Sequence, residues 1–411
     1  MKKTLLVAAL ATGFAGVAHA ESSVTLYGIV DGGIGFEKQS VKAEGVKVSS
    51  SRTVGAREGI QNGNRWGLKG TEDLGNGTAA IFQLESGFNL ANGKAKQNGG
   101  VFSRKAIIGL TGDSWGTFTL GRQFTASDDF VSAIDPFGTG FSQASANSTF
   151  GDSVGARKDA VIKYLSPNFD GFGFGVSLTT ANTKTYNVDT TTALVANSAG
   201  VVSSVTGLTY PNQTVKTKDN GVSVALGYNN GPLQVAANFD YERVKKTVSN
   251  LAKPVTDSKA KAWNLGLAYD FDVVKLHLMY GQQRDGFVNG SSGLAGDLVD
   301  GLNSVRTATN QIGFDAPGLR AQAWLAGLSA PVGENGKVMF SYQGGRVKNS
   351  EVYESARINT HVWSLGYRQG LSKRTSVYAL ASYGYSKAKE DTGYRAKLKS
   401  TDVAVGLTHR F

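Results

Sequence analysis

From about residue 22 onward, apolar and polar positions alternate in short runs divided by turn residues. In Val222-Ser223-Val224-Ala225-Leu226-Gly227-Tyr228 the even positions are apolar, and Asn229-Asn230-Gly231 then turns the chain. Leu233, Val235, Ala237, Phe239 and Tyr241 resume the alternation on odd positions, so the pair reads as a β-hairpin. The same order joins Trp263, Leu265, Leu267 and Tyr269 through Asp270-Phe271-Asp272 to Val274, Leu276, Leu278 and Tyr280. The opposite face of that last run is Lys275, His277 and Met279, which does not suit the core of a soluble sandwich.

Such runs predict sixteen strands, near 24–36, 63–74, 78–90, 101–111, 115–123, 157–166, 171–183, 218–229, 232–246, 258–271, 272–283, 319–330, 336–347, 358–369, 375–387 and 399–411. Short links such as Glu72–Gly77 and Asn229–Gly231 alternate with long polar ones at 37–62, 124–156, 184–217, 284–318 and 388–398. Past residue 20 no segment offers 18 consecutive apolar residues, which excludes membrane helices, but a membrane strand needs only ~9–11. Short periplasmic turns alternating with long external loops, on an even number of strands, predict an all-β fold. It is a 16-stranded antiparallel transmembrane β-barrel spanning residues 21–411.

Composition then makes sense. Hydrophobic residues are 40% of 411, below the ~45–50% of ordinary domains, because about half of a barrel of this length lies in loops. Gly is 53, and strand glycines such as Gly173, Gly227, Gly266 and Gly366 are expected to ease the bending that closure needs. Cysteine is absent and the histidines beyond residue 20 are His277, His361 and His409, on three separate strands, so no disulfide, metal or cofactor is expected. At the amino end, Lys2-Lys3, an apolar stretch from Leu5 to Val17 and Ala18-His19-Ala20 predict a signal peptide over 1–20. Its removal takes two lysines and lowers the formal charge from +11 to +9.

Catalysis finds little support. Gly112-Asp113-Ser114-Trp115-Gly116 matches G-x-S-x-G but falls in a hairpin turn with no histidine nearby. The glycine-rich stretches at 151–158 and 171–175 lack the strand-to-helix context of a phosphate loop. The basic cluster Lys387, Lys389, Arg395, Lys397 and Lys399 lies in the predicted final loop of an exported barrel, where anionic lipopolysaccharide or solvent is a better partner than nucleic acid.

Several segments carry a resemblance. Val24-Thr25-Leu26-Tyr27-Gly28, the stretch from Asn64 to Gly75, Phe82-Gln83-Leu84-Glu85, Leu120-Gly121-Arg122, Leu371-Ser372-Lys373-Arg374 and the closing Gly406 to Phe411 resemble the general trimeric porins of Gram-negative outer membranes. Ile134-Asp135-Pro136-Phe137-Gly138 resembles their beta-proteobacterial branch. The resemblance implies a homotrimer of barrels, each with its third external loop folded into the lumen. Here that loop runs from Gln123 to Val154 and carries Asp128, Asp129 and Asp135. The family's facing ladder of arginines matches Arg65, Arg104, Arg122 and Arg157.

Parity supports two of the four. Arg65 alternates with Lys69 opposite Trp66 and Leu68, and Arg157 with Lys163 opposite Ile162 and Tyr164. Arg104 lies in a run apolar on both parities, and Arg122 shares the parity of Phe118 and Leu120. Lys69, Lys163 and Lys275 are expected to face the lumen elsewhere, and the terminal Phe411 resembles the signal read by the outer-membrane insertion machinery. Opposed acidic and basic rows order water across a narrow gap and penalise apolar solutes. The expected function is therefore passive diffusion of small hydrophilic solutes and ions, with a weak preference for anions, by a protein in contact with outer-membrane lipid and lipopolysaccharide. A substrate-specific channel would show more strands and an aromatic track. A barrel enzyme would show Ser/His/Asp or paired acids at the rim, and a mainly adhesive barrel is the third rival.

Overall fold

The computed structural model describes residues 23–96, 100–186, 192–196, 202–206, 214–249, 256–304, 317–349, 356–389 and 393–411, so the predicted signal peptide lies outside the described residues. The first strands are β1 (Ser23–Ala43), β2 (Val46–Glu58), β3 (Arg65–Gly75), β4 (Thr78–Gly87), β5 (Lys105–Gly112), β6 (Gly116–Phe124), β7 (Arg157–Leu165) and β8 (Phe172–Tyr186). Among the described residues β9 (Thr192–Ala196) and β10 (Val202–Thr206) pair only with each other. Then follow β11 (Thr214–Asn230), β12 (Leu233–Val248), β13 (Thr256–Asp270), β14 (Lys275–Arg284) and β15 (Leu319–Val332). β16 (Gly336–Asn349), β17 (Ala356–Gly370), β18 (Thr375–Lys389) and β19 (Arg395–Arg410) complete the wall.

β1 closes the ring. One edge pairs with β19 from Ile29↔Arg410 to Ala43↔Ala396; the other pairs with β3 over Ser23–Ile29 and with β2 over Gly32–Ala43. β2 and β3 therefore share one position in the wall, a single strand interrupted at 59–64. Counted so, the barrel has sixteen antiparallel positions, the expected fold, with β8 pairing directly to β11.

The predicted strands match within a few residues, except at their external ends. Segment 37–62, expected as a loop, holds the external third of β1 and all of β2, joined by a two-residue turn in which Glu44 and Gly45 both have positive φ. Segment 388–398 likewise ends β18 and begins β19, so Lys387, Lys389, Arg395, Lys397 and Lys399 stand on strands rather than in a loop. Beyond the bilayer both faces of a strand can be solvated, and the alternation that marks it in sequence disappears.

The outward face is apolar and exposed, as lipid requires: Val222, Val224, Leu226, Leu265, Leu278 and Leu365 all project outward, while Ser223, Ala225, Asn264 and His277 are buried inside. Two covers bury those inward residues. The first is the third external loop, built from α1 (Ala126–Val131), α2 (Asn147–Phe150) and three short 3₁₀ turns. Its Val131, Ile134, Phe150 and Val154 pack on Ala236, Ala268, Met279, Ala323 and Leu325. The second is α3 (Leu294–Asn303), within the segment expected as a polar loop. Leu294, Leu298 and Leu302 recur every four residues on one helix face and close on Val41, Leu319, Val347, Ile358 and Leu398. Each buried leucine contributes about 1.5–3 kcal/mol relative to exposure.

Glycines seat the third loop. A Cβ at Gly227 would stand 2.4 Å from the Phe130 ring, at Gly266 3.0 Å from Ile134, at Gly327 2.8 Å from Pro136 and at Gly366 2.7 Å from Phe137. At these positions the missing side chain makes room for the loop, a role beyond the expected easing of strand bending.

Candidate functional site

The wall that carries the loop satisfies its backbone. Asn238 and Asn264 donate to the Ser153 carbonyl at 3.0 and 2.8 Å, and Gln343 donates to the Ala144 and Ser145 carbonyls at 2.8 and 3.2 Å. His277 Nδ1 lies 2.8 Å from the Ile134 carbonyl oxygen, which makes that nitrogen the donor. Ser127 Oγ donates to the Asp240 carboxylate at 2.8 Å. A polar loop buried inside the barrel is thus paired through wall side chains.

Across the lumen, the interruption between β2 and β3 turns inward around Asp31. This fully buried carboxylate accepts the backbone N–H groups of Ile60 at 2.8 Å, Gln61 at 3.3 Å and Asn62 at 3.2 Å, the Tyr378 hydroxyl at 2.9 Å and the Thr408 hydroxyl. The Phe141 N–H of the third loop donates to the Gln61 carbonyl at 3.3 Å, so turn and loop touch.

Between them lies a cavity of about 800 Å³. Arg65, Arg104, Arg122 and Arg157 all line it, with Asn62, Asp128 and Asp152. Arg104 Nε donates to Glu85 at 2.8 Å, and Arg65 stands 3.9 Å from the same carboxylate. Tyr27 turns inward and donates to Glu85 at 3.0 Å. The Arg157 guanidinium lies over the Phe124 ring at 4.0 Å, and Arg122 donates to the Ser103 carbonyl and to Asp159.

The parity argument for Arg157 does not survive. The β6–β7 register shifts between Gly121 and Gln123, and opposite that shift Ala160 has φ +50°. Such an irregularity changes which face later residues take. Lys158 and Lys163, of opposite parity, are both buried inward, Lys158 with Glu242 at 2.6 Å and Asp219 at 3.1 Å. Arg157 reaches the cavity from the start of β7 regardless.

Of the three acids expected opposite the arginines, one lines this cavity. Asp128 does, and burial, aided by the neighbouring Asp129 charge, pushes its carboxyl up to about 6. Asp129 instead pairs with Lys163 at 2.7 Å, so that lysine faces inward but is covered by α1. Asp135 is buried and accepts the N–H groups of Phe137, Thr139 and Ala146 at 3.0, 2.9 and 2.9 Å, shaping the loop's own turn; burial raises its carboxyl to about 6. Lys275 donates to Gln234 at 2.8 Å, and the Lys69 ammonium lies 5.9 Å from the Tyr27 ring. At the closing seam, Phe411 exchanges backbone hydrogen bonds with Gly28 at 3.0 and 3.1 Å, and its ring occupies the space a Gly28 side chain would need.

The sequence matches the family model of Gram-negative porins over residues 6–391. The chain belongs to that family. It is similar to an outer membrane porin of Bordetella pertussis, 39% identical over the whole of both chains, and to one of Delftia acidovorans, 28% identical over the whole of both. Among solved structures it is similar to the anion-selective porin from Comamonas acidovorans, with TM-score 0.61 and 25% identity over 95% of this chain and 100% of that one. This porin is an outer-membrane diffusion channel, and its lumen is the site of function.

Sequence reasoning passed over several charges of the porin lumen. Glu85 was legible only as part of a family segment, and Lys105, its register partner on β5, stands in an otherwise apolar run. Asp152 joins the cavity because a 3₁₀ turn places it there, which no spacing announces. Lys337, Arg368 and Arg410 line a second cavity, of about 310 Å³, on the periplasmic side of the third loop. Arg368 and Arg410 were readable by parity, alternating with the outward Leu365, Tyr367 and Leu407.

Proposed function

We propose that this porin favours small anions and hydrophilic solutes, with Arg65, Arg104, Arg122 and Arg157 as the basic wall of its constriction and Asp128 as the facing acid. One observation carries the reading: four guanidinium groups and two carboxylates line a single cavity. Low-dielectric walls focus that excess, and the guanidinium offers a planar fork to a passing carboxylate or phosphate. Lys69 and Lys275, with Lys337, Arg368 and Arg410, continue a basic path toward the periplasm. Similarity to a porin described as anion-selective supports the same sign.

Three further parts belong to the reading. Residues 1–20 are removed on export, leaving 21–411 as the barrel. The barrel assembles as a homotrimer in lipid and lipopolysaccharide. Phe411, in the closing strand, is the mark recognised by the insertion machinery. The deciding measurement is the reversal potential in planar bilayers under a KCl gradient, expected on the anion side; a value on the cation side overturns the assignment. Deletion of Phe411 should lower the yield of heat-modifiable protein in membranes, and a monomer on cross-linking in mild detergent would contradict the trimer.

A further inference from the structure

A barrel wall runs unbroken through the bilayer because every residue that leaves the ladder gives up its backbone hydrogen bonds. One wall position departs from this. Between β2 and β3, residues 59–64 leave the ladder and turn into the lumen, six positions standing against the two of Val30 and Asp31 on β1.

The turn is anchored through its main chain. The Asp31 carboxylate accepts the N–H groups of Ile60, Gln61 and Asn62, the Asp31 carbonyl accepts that of Gly59 at 3.0 Å, and Asn64 Oδ1 accepts the Asp31 N–H at 2.5 Å. The Gln61 side chain is buried and accepts the Thr408 hydroxyl at 3.0 Å. Asn62 is different. It is only partly buried, and among the described residues its side-chain nitrogen has no hydrogen-bond partner. That side chain takes no part in anchoring the turn.

Its position gives it another role. The cavity of about 800 Å³ and the one of about 310 Å³ on the periplasmic side share four lining residues, Gln61, Asn62, Gly138 and Phe141, which therefore mark the boundary between them. Gln61 and Phe141 close one side of that boundary: the Phe141 N–H reaches the Gln61 carbonyl at 3.3 Å, and a Cβ on the adjacent Gly140 would stand 2.4 Å from the same oxygen. Gly138 faces open space, since a Cβ there would meet no heavy atom within 4 Å. Asn62 and Gly138 are left as the open side.

We infer that the inward turn is the fixed lip of the pore's waist, and that Asn62, with Gly138 of the third loop, sets the size and charge of the passage between the arginine-lined cavity and the basic exit. A neutral amide suits this place. It can donate to or accept from a hydrated solute, yet it adds no charge to detain an anion already drawn by Arg65 and Arg104 on one side and by Lys337, Arg368 and Arg410 on the other. The inference rests on the anion reading for the sign of the charge effect and on shape alone for the waist.

The chain contains no cysteine, so Asn62→Cys gives the assembled full-length channel a single thiol per subunit. In planar bilayers, an anionic and a cationic methanethiosulfonate reagent of similar size should each lower single-channel conductance by about twofold or more. The anionic adduct should move the reversal potential toward cations and the cationic adduct away from them. Asn62→Ala should speed the swelling of liposomes in larger sugars while heat-modifiability stays at the parent value. Asn92→Cys, exposed between β4 and β5, should be modified with no change in conductance or potential. Complete modification of Asn62→Cys, verified by mass, with unchanged conductance overturns the inference. So does a thiol at 62 that the reagents do not reach in the open channel, or a swelling rate that Asn62→Ala leaves unaltered. A parent potential on the cation side, together with a conductance drop on modification at 62, overturns the anion reading and upholds the waist.

Discussion

The two halves of the barrel's inner wall are built on opposite terms. From β3 to β7 the wall meets the cavity with arginines, whose charges are met by Glu85, Asp159 and an aromatic ring. From β12 to β18 it meets the third loop and α3, and many of its inward positions are apolar or small, among them Ala236, Ala268, Met279, Leu325, Val347 and Ile358, interleaved with buried amides such as Asn238, Asn264 and Gln343. One half is made to present charge to a solute; the other is made to hold a plug. The plug's own side toward the arginines, with Asp128 and Asp152, turns the seat on one half into the width and field of the other.

The most forceful way to break this division is to fill the seat. Gly227→Leu with Gly266→Leu would place side chains where Phe130 and Ile134 now lie, each costing about 1–3 kcal/mol by overpacking. The loop should be displaced and single-channel conductance should rise, with a lower unfolding temperature on heat-modifiability gels. Unchanged conductance would show that the loop does not depend on its seat.

Next comes the charged half. Replacing Arg65 and Arg157 by Ser should move the reversal potential toward cations and weaken its dependence on salt. An unchanged potential would mean that the constriction lies elsewhere.

A smaller effect sharpens the comparison from the loop side. Asp128, with its carboxyl pushed up to about 6, is charged at neutral pH and becomes neutral as the medium turns acid. Losing a negative charge from the cavity raises its positive excess, so anion preference should increase as pH falls from about 7.5 to about 5. Asp128→Asn should show the acid-side preference at every pH in that window, measured as the same reversal potential. A wild-type potential that does not move with pH would remove Asp128 from the conducting path.

The smallest expected change is at Lys389, which is exposed at the external end of β18. Lys389→Ser should leave selectivity unaltered, because charge there is screened within about 8 Å at physiological salt. A shift as large as that of the arginine pair would show that the external rim, rather than the cavity, sets selectivity.

The same division explains what could be read in the chain. Lipid imposes strict alternation on one face, so the strands holding Leu226, Leu265 and Leu365 were visible from sequence. The second strand and the upper part of the first were hidden because polar residues such as those of β2 occupy both faces outside the bilayer. Within the lumen, parity located Arg65 but failed at Arg157, where the register shift beside Ala160 intervenes. Asp129 and Asp135 lay on the expected loop, yet the direction of their carboxylates depends on a short helix and a turn whose geometry the spacing does not encode. The stripe of Leu294, Leu298 and Leu302 is legible in the chain, although the polar residues around it predict a loop.

Asp31 bears on the order in which the barrel is made. Its acceptors are filled by an inward turn early in the chain, by Tyr378 on β18 and by Thr408 on β19. An open sheet, before its first and last strands meet, supplies only the early part of that set. A carboxylate at this depth is costly until the remaining donors arrive. The residue therefore rewards closure itself: the circle's two ends meet at a group whose bonding is completed only by the full ring, favouring final annealing over a half-zipped intermediate.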